Sequence, residues 1–430
     1  MRHQTLRDAG PLSISRRSVL ASAAAAGLSP AVGRATTAQP KGYNFVFVHP
    51  HGGWDTSYAL DPKPGSALVD SPAGRVRDFG EIPILVHDSR PSVEAFFDAW
   101  SELSLVVHGI AIRSIAHLEC TKRLMTGGTD ENAPDIAAIA AHALGRDRPL
   151  PYLMLGDRTM VGPLAAIAGR VGPTSQIKAL LDHADSLPPP PGVLHTPFVG
   201  DPQDLDAIAA FVEGNAQRAL EGRARYGYNA DRIADFLEGY SRGRQLEGFA
   251  PWFTEAGSQI QFSSQVALGL DALESGMSKS VMIDPLLDFD THSTNFEQTE
   301  LHEELFAGLN TLLQGLADRP GEAAGSSLLD ETVVLVASEL SRTPKLNGAG
   351  GKDHWPYVTT FAVGGPLAGG RVLGGTDDGM VGSYVDFATG AADAGGEQLR
   401  AENFLAGLMT TLGIDPAAWL PGITPLELAG

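Results

Sequence analysis

Histidines and acidic residues collect just past a few short apolar runs of this 430-residue chain. His49, His51 and Asp55 follow the run 43–48, and Asp288, Asp290 and His292 follow 281–283. Glu339 follows 332–337, and Asp353 with His354 stands shortly before the run that begins at Val358. Imidazole nitrogens and carboxylate oxygens are donors that hold a divalent metal. Such a set suits Zn²⁺ or Mn²⁺, and a larger share of carboxylate moves the preference toward Mg²⁺ or Ca²⁺; the residue types alone leave the identity open. Asp288, Asp290 and His292 are two apart, so in an extended segment their side chains project to one side, as a chelating edge requires. Asp353 and His354 are adjacent and would point opposite ways on a strand. Either a turn brings both to one ion, or one ligates while the other orients it from behind.

Cations lie close by in the sequence. Arg342, Lys345 and Lys352 fall between Glu339 and His354, where they could neutralise a phosphate or sulfate group; for each taken singly, a solvated loop charge is an equally simple reading. His302 sits in an amphipathic helical segment and reads as a helix-surface histidine, not a ligand. The single cysteine, Cys120, excludes an intramolecular disulfide and a four-cysteine zinc site, and reads as a small buried residue.

The elements that must position these groups alternate. Between the strand-like runs, including 103–108 and 358–363, helical periodicity marks 134–144, 204–219, 259–273, 301–316 and 401–412. This alternation predicts an α/β fold: a central, mostly parallel sheet with helices on both faces, whose ligands bind beyond the carboxyl ends of the strands. Four consecutive prolines at 188–191 make a stiff connector, so about 180–255 reads either as a helical insertion or as an ordinary surface loop. A net charge of −20 repels nucleic acid. Ahead of the domain at 39–430, Ser15-Arg16-Arg17-Ser18-Val19-Leu20 opens an apolar, alanine-rich stretch with small residues at Ala35 and Ala38. Residues 1–38 therefore read as a twin-arginine export signal, too short an apolar run to act as a stable membrane anchor, and the mature chain is expected in the periplasm or secreted.

Several motifs stand together: His51-Gly52-Gly53-Trp54-Asp55, Asp61-Pro62-Lys63-Pro64, Asp290-Thr291-His292, Glu339-Leu340-Ser341-Arg342-Thr343-Pro344 and Gly351-Lys352-Asp353-His354-Trp355. With the signal, they resemble the bacterial family of domain of unknown function fifteen-hundred-and-one, in the alkaline phosphatase and sulfatase superfamily, over most of the mature chain. That resemblance implies an alkaline-phosphatase-like fold with one or two divalent metals at the strand ends. It implies a metal set of Asp55, Asp290, His292, Glu339 and His354, with Asp353 beside it. It also implies a nucleophile attacking a phosphate or sulfate ester, small or polymer-borne. The chain departs from the sulfatases here, lacking their Cys-x-Pro-Ser-Arg run. Counting back from Thr126-Gly127 puts His117 at the nucleophile's place, with Ser114, Thr56 and Thr121 as nearby hydroxyls. Two functions follow. One is a metal-dependent hydrolase in which His117 or His354 moves a proton and Arg342 stabilises developing charge. The other is a non-catalytic exported binding or assembly protein that keeps the fold, with or without the metal. Oligomeric state is left open.

Overall fold

Runs of Val, Phe, Leu and Ile without charge form the central strands of the chain, because a strand covered on both faces must be apolar on both. The computed structural model describes residues 42–156, 158–171, 177, 202–222, 227–249 and 260–429. The segment read as an export signal and the four prolines lie outside the described residues.

Among the described residues the strands are β1 Asn44–Val48, β2 Arg75–Phe79, β3 Ile82–Val86, β4 Ser104–Ala111, β5 Tyr152–Met154, β6 Ala168–Arg170, β7 Ser280–Ile283, β8 Thr332–Val336, β9 Ser341–Arg342, β10 His354–Trp355, β11 Tyr357–Val363, β12 Arg371–Gly374, β13 Tyr384–Val385 and β14 Glu397–Gln398. The helices are α1 Pro91–Trp100, α2 His117–Thr126, α3 Ile136–Leu144, α4 Pro202–Glu221, α5 Tyr228–Leu246, α6 Phe262–Glu274, α7 Gln298–Ala317 and α8 Ala401–Thr411. Helices α4 and α5 fall in the segment expected as an insertion or loop. Among the described residues, eight strands form one sheet in the order β12-β4-β11-β8-β1-β7-β5-β6. Every pairing in it is parallel except those of β11, which runs against both β4 and β8.

Alternation along the strands feeds two cores. On β1, Val46 and Val48 face one core, which α1, α6 and α7 close with Phe96, Phe97, Leu270, Phe306 and Leu309. Phe45 and Phe47 face the other, closed by α2, α3 and α8 with Leu124, Ile139, Phe404 and Leu408. The mixed α/β architecture with a mostly parallel, doubly covered sheet is thus the expected one. None of the described helices is long and apolar enough to cross a membrane.

Two expectations need correcting. His302 is fully buried in α7, ringed by Trp54, Tyr58, Phe289 and Phe306. Its apolar neighbours at helical spacing put it on the inner stripe of α7, and burial pushes its imidazole down to about 4. Helix α2 escaped the periodicity reading because its mean composition is polar, and it begins at His117 itself.

Candidate metal centre

The parallel strands end along one edge, and the loops leaving that edge carry the donors. β1 runs into His49 and His51, β8 into Glu339, β7 into Asp290 and His292, and β4 into the loop that starts α2 at His117. Because β11 is antiparallel, its first residue lies at this same edge, and His354 stands just before it.

The turn after β1 allows close approach. Gly52 and Gly53 have φ of +102° and +87°, a left-handed region that disfavours side chains. A Cβ on Gly52 would meet the Asp290 backbone nitrogen at 2.5 Å, and one on Gly53 would meet Leu340 Cδ1 at 1.9 Å. Through this turn the Gly52 N–H donates to Glu339 Oε1 at 3.0 Å.

Six side chains converge there. His117 Nδ1 lies 2.7 Å and His51 Nε2 3.4 Å from Glu339 Oε1. His117 Nε2 lies 3.4 Å from Asp290 Oδ1, and the Nε2 atoms of His292 and His354 are each 3.1 Å from that same oxygen. These last two nitrogens are only 2.9 Å apart. Two triads, His51–His117–Glu339 and His117–Asp290–His354, have ligand atoms all within 4.8 Å of one another. His117 belongs to both.

The far side of each ring decides its tautomer. His354 Nδ1 meets the Ile115 carbonyl at 2.6 Å, His292 Nδ1 meets Asp353 Oδ1 at 3.1 Å, and His117 Nδ1 meets Glu339. Carbonyl and carboxylate oxygens only accept, so each Nδ1 carries a proton, and each ring, when neutral, presents a bare Nε2 lone pair. Three such lone pairs face the Asp290 carboxylate, another acceptor. His117 Nε2 is buried without a hydrogen-bond partner. Acceptors packed this closely repel unless protons or a cation lie among them, so the donor set fits a divalent metal. The carboxylates are anionic. Burial pushes Glu339 up, yet the hydrogen bond from His117 and the neighbouring His49 and His51 outweigh it and hold it at about 2. Asp290 is likewise held at about 2, burial being outweighed by the buried Arg342 guanidinium. His117 is raised by its bond to Glu339, and His51 is lowered by burial.

The expected residues are sorted by this geometry. Asp290, His292, Glu339, His354 and His117 come together, and His51 joins them. His51 stands among the donors that follow β1 but outside the metal set that the family resemblance implies. Asp353 lies behind His292. Asp55 does not reach the cluster: both its oxygens are engaged, by the Ser57 N–H and hydroxyl, Asn295 and Lys352, and it is fully buried.

Arg342 does not face a substrate either. It is fully buried, donating to the carbonyls of Gly52, Gly53 and Lys352 and to Asp290 Oδ1 at 2.6 Å. It therefore positions the Gly52–Gly53 turn and Asp290. Lys352 is buried against Asp55 at 2.7 Å, and Lys345 turns away to Asp70 at 3.0 Å. Of the hydroxyls, Ser114 is bonded to Glu119, Thr121 is buried in α2 and Thr56 is buried near Asp55. Among the described residues none of the three joins the cluster. Cys120 is fully buried, as expected. An exposed cation missed by the sequence reading, Arg158, follows β5 and lies near enough to His51 to lower its imidazole.

The centre has a dry and a wet side. Glu339 and Arg342 are fully buried, whereas Asp290, His292 and His117 are partly open to solvent.

Solved structures similar to this chain include Ps i-CgsB, at 11% identity over 89% of this chain and 75% of that one, with a TM-score of 0.39. The lipoteichoic acid synthase LtaP from Listeria monocytogenes is similar at 11% identity, 90% and 74% coverage and a TM-score of 0.37. A protein in the alkaline phosphatase superfamily from Vibrio parahaemolyticus is similar at 11% identity, 96% and 78% coverage and a TM-score of 0.36. No curated protein matches. The family described as Protein of unknown function (DUF1501) matches residues 42–424, nearly the whole of the described domain, and the chain belongs to that family.

Proposed function

We propose that the chain is an exported, metal-dependent hydrolase of phosphate or sulfate esters. The observation that carries this reading is the convergence of bare imidazole Nε2 atoms on Asp290, each ring oriented from behind by a carbonyl or carboxylate. Four imidazoles against two carboxylates favour Zn²⁺ or a similar transition ion over Mg²⁺ or Ca²⁺. His51, His117, His292, His354, Asp290 and Glu339 would hold it. Bound there, a divalent cation supplies Lewis acidity toward an ester oxygen and lowers the pKa of water. The chain's own residues do the rest. Arg342 and the Gly52–Gly53 turn hold Asp290 and Glu339 in place, Asp353 and the Ile115 carbonyl fix two rings, and the exposed Arg158 adds positive charge felt at His51. Export is supported by the paired arginines at Arg16 and Arg17 ahead of an apolar stretch.

A second reading is favoured by one observation. Ser114, Thr56 and Thr121 all lie outside the cluster, as a binding protein without covalent chemistry would allow.

Metal content of the purified mature chain by elemental mass spectrometry separates the outcomes. A stoichiometric divalent metal in wild type, lost in Asp290→Ala and His354→Ala, supports the centre; a folded, metal-free wild type refutes the hydrolase. A metal-loaded wild type that turns over neither p-nitrophenyl phosphate nor p-nitrophenyl sulfate moves the binding reading ahead.

A further inference from the structure

Large apolar side chains stand exposed on the segments that carry the metal centre. Ile115 and Leu118 are 59% and 70% exposed and flank His117 at the start of α2. The Ile115 carbonyl accepts from His354, so its exposed side chain is anchored beside that ligand. Leu346, also exposed, neighbours Asn347, whose amide donates to the His292 carbonyl and to Asp353. Leu286, half-exposed with φ of 58°, lies two residues from Asp288, which bridges to His51. Each of these residues is one or two positions along the chain from a cluster residue or from a residue bonded to one, and consecutive Cα atoms are about 3.8 Å apart. Singly, an exposed leucine means little. Contributed by separate loops around one polar centre, they make the mixed lining of a ligand site.

The charges nearby point the same way. Arg342 and Lys352 are buried and paired, and Lys345 is turned to Asp70. Arg113, exposed two residues before Ile115, is paired with Glu402 at 2.7 Å, and among the described residues Arg158 is a further exposed cation, whose charge helps lower the His51 imidazole. A polyanionic polymer needs a row of exposed cations to offset its repeated charge, and a chain of net charge −20 repels it further. A single anionic group with an apolar remainder meets neither obstacle.

We infer that the ester taken by this site is an amphiphile: one anionic headgroup at the imidazole–carboxylate cluster, and an alkyl or aryl group lying across Ile115 and Leu118. This rests on the reading of the cluster as an ester-binding metal site. The test is binding of ethyl, butyl, hexyl and octyl phosphonate to the full mature chain loaded with Zn²⁺, followed by titration calorimetry. These compounds cannot be hydrolysed as esters, so binding is read apart from turnover.

A fully buried methylene contributes about fourfold in affinity, and a half-covered one about twofold, so octyl phosphonate should bind roughly 60-fold more tightly than ethyl phosphonate. In the double variant Ile115→Gln, Leu118→Gln the ratio should fall to about tenfold or less. Both sites are exposed, so the substitutions leave folding intact. Leu103→Gln, exposed just before the opposite end of β4, should keep the full ratio. A flat wild-type series overturns the inference while leaving a metal centre that binds anions. A full ratio retained in the double variant, or lost equally in Leu103→Gln, overturns the assignment to Ile115 and Leu118. Absence of binding by every phosphonate refutes the ester-site reading itself, and the inference with it.

Discussion

Replacing Lys352 with methionine strands the Asp55 carboxylate in the protein interior. The two side chains are fully buried and meet at 2.7 Å. The other contacts of Asp55 are neutral donors, the N–H and hydroxyl of Ser57 and the amide of Asn295. Burial pushes the Asp55 carboxyl up, but the Lys352 ammonium and these hydrogen bonds outweigh it and hold the group below its ordinary range. Breaking a buried pair from one side costs about 3–5 kcal/mol, because the remaining charge has lost its partner and cannot reach water. In the double variant Asp55→Asn, Lys352→Met no charge is stranded, and all but about 1–2 kcal/mol should return. The pH dependence has a definite sign. In wild type the depressed carboxyl contributes stability that is present above its unfolded value and lost as pH falls through its folded value. In Lys352→Met burial prevails over the hydrogen bonds, the folded carboxyl rises above its unfolded value, and the variant's deficit shrinks from neutrality toward about pH 4. Urea melts of the three proteins at neutral and mildly acidic pH measure each quantity. A single-variant cost under about 1 kcal/mol, or a deficit that grows on acidification, refutes the stranded-charge account. The double variant should also retain its metal, since Asp55 lies outside the cluster; its loss would return Asp55 to the ligand set.

Asp353→Asn should keep metal stoichiometry but weaken affinity by about 10- to 100-fold in chelator competition, because Asp353 orients His292 from behind. Unchanged affinity would show that His292 needs no such support. Cys120 is fully buried and burial pushes its thiol up to about 11, so a thiol reagent should label it in urea and leave the native protein untouched.

Central strands β1, β4, β7, β8 and β11 were legible because strands buried on both faces read as unbroken apolar runs. The hairpin of β2 and β3 was not, since Arg75, Arg77 and Asp78 break its pattern, and the three-residue strands β5 and β6 offer too little sequence to show a period. Much of the candidate site was legible for the same reason that the strands were: the donors follow them directly. Depth was not. Nothing in the spacing of Arg342 and Lys352 distinguishes a cation on a loop surface from one buried under it. Their partners are carbonyls of Gly52 and Gly53 and the carboxylate of Asp55, almost 300 positions away. His302 failed likewise, because a histidine on an apolar helix stripe has no local mark of being core.

The antiparallel strand β11 has a further consequence for assembly. Without it, β12 and β4 form one fragment of sheet and β8, β1, β7, β5 and β6 another, with no direct pairing between them. His117 rides on the first fragment and Glu339, Asp290 and His51 on the second, so the two triads close only when β11 wedges between β4 and β8. It is the keystone of the sheet, and it arrives late in the chain with His354 at its leading end. Pairings of such long sequence separation form slowly. The donor cluster is therefore complete only once the two halves of the sheet have been joined.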